Sequence, residues 1–128
     1  IKLKINKHKN SKNLKNNSRI FNESITKYQL LEHKNNISTI LFFPVTGKMH
    51  QIRIVAKHLG CSVLGDKKYT NLIVDNKVDK LMLHAFAISF VYNNEKQLYF
   101  AKLDPEMEKN FKKLGLKIPK ENFIKQYF

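Results

Sequence analysis

Two strand-forming runs, residues 24–32 and 37–44, constrain the fold more than any other feature of the chain. Only His33-Lys34-Asn35-Asn36 separates them. In the first run Thr26, Tyr28 and Leu30 alternate onto one side, and the second, ISTILFFP, is built largely from β-branched and aromatic side chains. A period of two on both sides of a short Asn-containing link predicts an antiparallel hairpin. Ile1, Leu3 and Ile5 alternate in the same way and predict a short strand, after which residues 6–18, dominated by Lys, Asn and Ser, read as a mobile basic loop.

Beyond the hairpin the periodicity changes. Thr46-Gly47-Lys48 marks a turn, and from Met49 the apolar residues Ile52, Val55, Ala56 and Leu59 fall on one helical stripe that Gly60 terminates. A short apolar piece ending in the Gly65-Asp66 turn and a polar stretch to Lys80 follow. Residues 81–92 and 97–103 read as strands joined by a loop over 93–96. Asp104-Pro105 opens a last helix, with Asp as cap and Pro at the first helical position; Met107, Phe111 and Leu114 form its buried stripe and Gly115 stops it. Strands, helix, strands, helix, with no glycine-rich phosphate loop and no repeat, predict an α+β domain: a mainly antiparallel mixed sheet with flanking helices. At 128 residues one unit is expected, comprising a basic strand and loop over 1–19, a core over 20–115 and a tail over 116–128.

Charge narrows the partners. The chain carries 24 Lys and Arg against 10 Asp and Glu, a formal charge of +14, which draws in polyanions and makes nucleic acid the first partner to consider. A genome that favours lysine and asparagine explains part of the excess, since 22 of the 24 are Lys and 14 residues are Asn. Arginine is the sharper signal: only Arg19 and Arg53 retain a planar fork that an ammonium cannot imitate. One cysteine, Cys61, excludes an internal disulfide and, with five scattered histidines, gives no zinc cluster, so no metal and a reducing, cytoplasmic setting are expected. The apolar runs at 37–45 and 81–92 are too short or interrupted for a membrane span. Ile1 in place of an initiator Met leads to the expectation of further chain upstream.

The chemistry is concentrated in Pro44-Val45-Thr46-Gly47-Lys48-Met49-His50-Gln51-Ile52-Arg53-Ile54, continuing to His58-Leu59-Gly60 and Val63-Leu64-Gly65-Asp66-Lys67-Lys68-Tyr69. A tight turn, a helix start and Lys48, His50, Gln51 and Arg53 together form a place that attracts an anion. The same residues also fit an ordinary capped helix with a solvated polar face. His50 and Gln51 read equally as RNA contacts or as hydrogen-bond partners of the loop. Lys67 and Lys68 are phosphate contacts or solvated; Thr46, Gly47, Gly65, Asp66 and Tyr69 shape turns, and His84 reads as a hydrogen-bonded core histidine.

This stretch resembles the segment of RluA-type RNA pseudouridine synthases written Thr-Gly-Arg, any residue, His-Gln, an aliphatic, Arg. In that family an apolar piece with Gly-Asp and then Tyr follows at this spacing. Ser24-Ile25-Thr26-Lys27-Tyr28, Leu83-His84-Ala85 and residues 98–103 match further pieces in order, so the resemblance covers roughly residues 20–115. It implies an enzyme that detaches uracil from its ribose in structured ribosomal or transfer RNA and rejoins it through carbon, with a nucleophilic aspartate and no cofactor. It further implies that Arg53 pairs with that aspartate, keeping it ionised and oriented, and that Lys48, His50, Gln51, Lys67 and Lys68 face RNA.

The departures define what the chain lacks. Lys48 stands where the family has Arg, Val55 where it commonly has His, and Cys61-Ser62 where it commonly has His-Pro. None of the four aspartates lies in the His-Arg-Leu-Asp type motif that carries the family's nucleophile, and Tyr28, in the later strand motif, is not taken for the tyrosine that the family carries in a Lys, any residue, Tyr motif after that aspartate. The expectation is the C-terminal portion of a catalytic domain whose N-terminal half is supplied elsewhere, inactive alone. A non-catalytic RNA-binding remnant is the competing expectation.

Overall fold

The computed structural model describes residues 2–6, 21–70 and 78–128. Strands β2 (Phe21–Lys34) and β3 (Ile37–Pro44) form the expected antiparallel hairpin, longer than its apolar pattern suggested. The link contracts to Asn35-Asn36, both with positive φ (52° and 59°), a two-residue turn whose twist matches that of the flanking strands. His33 and Lys34 therefore belong to the ladder, opposite Ser38 and Ile37, with His33 Nδ1 2.9 Å from Ser38 Oγ. A bulge between Leu30 and Glu32 inserts one residue and bends the strand. Thr26 is fully buried while Tyr28 and Leu30, on the same face, are about half exposed, because the first helix covers only the Thr26 end. Strand β1 (Lys2–Asn6) pairs antiparallel with the other edge of β2, giving the order β1-β2-β3. The basic loop expected over 6–18 lies almost wholly outside the described residues, as does part of the polar stretch before Lys80.

A second antiparallel pair, β4 (Ala87–Tyr92) and β5 (Glu95–Phe100), repeats the same turn device with Asn93-Asn94 at φ 49° and 60°. Here the sequence reading overshot: residues 81–86 and 101–103 are outside the ladder. Part of the reason is local, since the Met82 amide donates to the Leu64 carbonyl at 2.8 Å and the chain around Lys80 is pressed against Gly65. Among the described residues the antiparallel strands lie in a three-stranded and a two-stranded sheet, with helices beside them, the expected α+β class.

Helix α1 (Gln51–His58) and helix α2 (Pro105–Lys113) stop as their sequences dictate. Gly60 (φ 78°) and Gly115 (φ 67°) take the left-handed position after each helix, and the paired bonds Gly60 N to Lys57 O, Cys61 N to Ala56 O, Gly115 N to Lys112 O and Leu116 N to Phe111 O satisfy the last carbonyls. Asp104 caps α2 by accepting from the Met107 amide at 3.0 Å, with Pro105 at the first helical position. The core is small: Val55, Ala56, Met107, Phe111, Leu114 and Ile124. Burying each of the larger of these side chains contributes roughly 1.5–3 kcal/mol. Ile124 comes from the segment read as a tail, which instead folds into α3 (Glu121–Ile124) and a closing 3-10 turn, and packs Phe128 edge-on against Phe43 at 5.9 Å. Lys34 Nζ to the Gly115 carbonyl (3.1 Å) and the Lys117 amide to Glu32 (2.8 Å) tie the hairpin tip to the end of α2.

Candidate active site at the start of the first helix

Gln51 locks the helix to the hairpin. Its Oε1 accepts from Thr46 Oγ1 and the Lys48 amide, both at 2.9 Å, while its Nε2 donates to the Ile25 carbonyl at 3.0 Å and to Thr26 Oγ1 at 2.9 Å. Thr46 Oγ1 in turn accepts from the Ile25 amide at 3.0 Å. Gln51 is 4% exposed with both ends of its carboxamide engaged, so of its two readings, RNA contact or hydrogen-bond partner of the loop, the geometry fits the second. His50 precedes it in the left-handed region (φ 55°), turning the chain sharply into the helix, which therefore begins at Gln51 rather than Met49.

One turn along, Arg53 meets the Gly65-Asp66 turn. Nε and Nη2 donate to the two Asp66 oxygens, each at 2.7 Å, a two-pronged charge-assisted pair. The Asp66 side chain is fully buried, and its Oδ1 also accepts from the Lys68 amide at 2.9 Å and the Tyr69 amide at 3.0 Å. The Arg53 guanidinium, with these two amides, holds the Asp66 carboxyl well below the usual carboxylate range despite its burial, and the same bond raises Arg53 above its ordinary value. Four donors on one buried acid fix where the guanidinium lies.

Tyr69 completes the cluster. The Arg53 Cζ sits 4.9 Å from the Tyr69 ring centroid and Lys68 Nζ 5.5 Å from it, while the phenol oxygen lies 3.0 Å from His50 Nδ1 with the two rings edge-to-face. Gly65 has its own steric reason: at φ 74° an added Cβ would overlap the Lys80 carbonyl. At Gly47, by contrast, φ is not positive and nothing lies within 4 Å of an added Cβ.

The fold thus gathers His50, Arg53, Asp66, Lys68 and Tyr69 from two segments and puts Thr46 and Gln51 behind them. Lys48 is partly exposed beside the turn, and Lys67 is exposed. His84 takes no part; it is half-buried rather than a core residue, with Nε2 3.1 Å from the Ala101 carbonyl and its ring edge-on to Phe86. The pairing of Asp66 with Arg53 was not legible in advance, because a 13-residue separation across a helix, a loop and a turn leaves no periodic signal. Among the described residues no group of three His, Cys, Asp or Glu could hold a metal. Burial pushes the Cys61 thiol up, away from a nucleophile's range.

A 63-residue stretch is 49% identical to the ribosomal large subunit pseudouridine synthase C of Rickettsia typhi, covering 48% of this chain and 21% of that protein. An 84-residue stretch is 32% identical to the dual-specificity RNA pseudouridine synthase RluA of Haemophilus ducreyi, covering 65% of this chain and 38% of that protein. The corresponding protein of Vibrio cholerae is 30% identical over 70 residues, 55% of this chain and 29% of its own length. The chain is thus similar, over these stretches, to RluA- and RluC-type pseudouridine synthases. It spans between about a fifth and two-fifths of the length of these three relatives. No protein-family model matches it. No helix among the described residues is long and apolar enough to cross a membrane.

Proposed function

We propose that this chain carries the arginine-bearing part of the active site of an RNA pseudouridine synthase, completed by an aspartate from polypeptide outside the chain. One observation supports this best: Arg53 is held by a buried acid through Nε and Nη2, while Nη1 has no acceptor among the described residues. A guanidinium fixed on one edge and open on the other suits a second carboxylate, which it would keep ionised for attack near the ribose of a flipped uridine. Lysine could not serve two acids in fixed geometry.

Structured RNA, ribosomal or transfer, is the substrate this reading requires, in a cytoplasmic setting. The charge of +14 supports attraction to it, and Lys48, His50, Lys67 and Lys68 flank the cluster as the residues to meet phosphate or base. The test follows tritium released from uridine C5 in labelled ribosomal and transfer RNA. The purified chain alone is expected to release none, and release is expected when it is joined to the remainder of a synthase. Turnover by the chain alone would overturn the assignment of the nucleophile to another segment; no turnover in any completed enzyme would overturn the activity.

A further inference from the structure

Arg53 is held along one edge by two bonds, from Nε and Nη2 to the Asp66 oxygens. Two bonds along one edge define a line about which the rest of a flat guanidinium can still tilt, and Nη1, the nitrogen farthest from that line, moves most when it does. A constraint over the face is needed to fix the plane. Tyr69 supplies it: the guanidinium carbon lies over the ring, 4.9 Å from its centroid, a distance at which a cation and an aromatic face attract.

A ring holds a plane only if it is itself held, and three residues fasten Tyr69. Its amide donates to Asp66 Oδ1 at 3.0 Å, its carbonyl accepts from Ser62 Oγ at 3.1 Å, and its phenol oxygen lies 3.0 Å from His50 Nδ1. Asp66 is also the acid that pairs with Arg53, so ring and guanidinium share one buried anchor. Ser62 stands where the resembled family commonly has proline, which has no side-chain donor for this bond. His50 reaches the phenol from a left-handed backbone (φ 55°), a conformation that non-glycine residues keep only where their surroundings over-determine it. Its imidazole packs edge-on against the ring, with centroids 5.6 Å apart. Lys68 Nζ, 5.5 Å from the ring centroid, adds a second cation, so the ring is engaged within the cluster rather than offered to a base.

We infer that Tyr69 is a positioning residue: fastened by Asp66, Ser62 and His50, its ring fixes the plane of the Arg53 guanidinium and with it the direction in which Nη1 faces. It acts through Arg53. Its part in catalysis rests on the synthase reading, whereas the hold on the guanidinium is a property of this chain by itself.

The experiment measures side-chain relaxation by NMR on the isotope-labelled full chain. Arg19 and Arg53 are its only arginines, so two Nε–Hε signals are expected and Arg53→Lys identifies the second by removing it. The Arg53 signal should be as rigid as folded backbone, with an order parameter of about 0.85, should stay near that value in Tyr69→Phe, which keeps the ring, and should fall below about 0.6 in Tyr69→Leu. Where Tyr69→Leu fails to fold, Ser62→Ala, which frees the Tyr69 carbonyl and leaves the ring, should lower the order parameter by a smaller, measurable step. A signal already mobile in the unaltered chain, unmoved by the variant tested, or loosened as much by Tyr69→Phe as by Tyr69→Leu would overturn the inference. In a completed synthase Tyr69→Leu is expected to lower kcat by about tenfold or more while RNA affinity changes less than about threefold. Equal losses in both would mark Tyr69 as an RNA contact and overturn the inference. An active enzyme indifferent to Tyr69→Leu would sink the positioning role and leave the activity standing, whereas an inactive completed enzyme with Arg53 still rigid would overturn the synthase reading alone.

Discussion

Replacing Asp66 with asparagine removes one charge and keeps the shape, so the change reads out the pair with Arg53. Asn retains a carbonyl at the oxygen that accepts from the Lys68 and Tyr69 amides and from Nη2, but turns an NH2 toward Nε, leaving donor against donor there and a guanidinium without its counter-charge. Breaking a buried pair from one side costs ~3–5 kcal/mol. The arginine side chain is 17% exposed and recovers some hydration, which puts Asp66→Asn near the lower end, about 3 kcal/mol. Against a typical total of about 5–15 kcal/mol this is a large share, and it corresponds to a fall in Tm on the order of 10 °C for a domain of this length. Urea unfolding followed by circular dichroism measures it. The dependence on pH identifies the cause. The folded-state pKa of Asp66 is depressed, so its contribution is complete above the unfolded carboxyl value near ~3.9 and disappears as pH falls from there through the lower folded-state value. The wild-type advantage over Asp66→Asn should therefore hold from neutral pH to about 5 and shrink below about 4. A difference under about 1 kcal/mol at neutral pH, or one unchanged in acid, would refute the reasoning.

Other consequences follow from the same geometry. Gly65→Ala drives a Cβ into the Lys80 carbonyl at a positive φ and should cost more than about 2 kcal/mol, whereas Gly47→Ala, in open space, should stay within about 0.5 kcal/mol; comparison of their urea midpoints checks both. Gln51→Leu removes the acceptor of the Lys48 amide and the Thr46 hydroxyl and the donor to the Ile25 carbonyl and the Thr26 hydroxyl, and should destabilise by about 3 kcal/mol in thermal unfolding. RNA affinity measured by filter binding should fall steeply with salt, each neutralised phosphate adding about 0.7–0.9 to the log-log slope, and Lys67→Ala or Lys68→Ala should lower that slope; a flat dependence would remove RNA as the partner.

Local chemistry was legible in the residues themselves. The hairpin followed from alternation and Asn35-Asn36, both helix ends from Gly60 and Gly115, and the α2 cap from Asp104-Pro105, because each depends on a few adjacent residues. Long-range events were not. Met82 donates to Leu64 within what looked like strand; Ile124 fills the core from the segment expected as a tail; Asp66 meets Arg53 across thirteen residues, beside a turn in which the Lys80 backbone lies against Gly65. Gln51 shows the limit most clearly. A polar residue between His50 and Ile52 looks exposed in sequence, and only the fold reveals four partners around it.

The most direct measurement takes a completed synthase carrying this chain and compares Arg53→Lys with the unaltered enzyme, following tritium release and RNA binding side by side. With the guanidinium holding an incoming carboxylate, kcat should fall by about a hundredfold or more while RNA affinity changes less than about threefold. Equal losses in both, or full activity with lysine at position 53, would contradict the account.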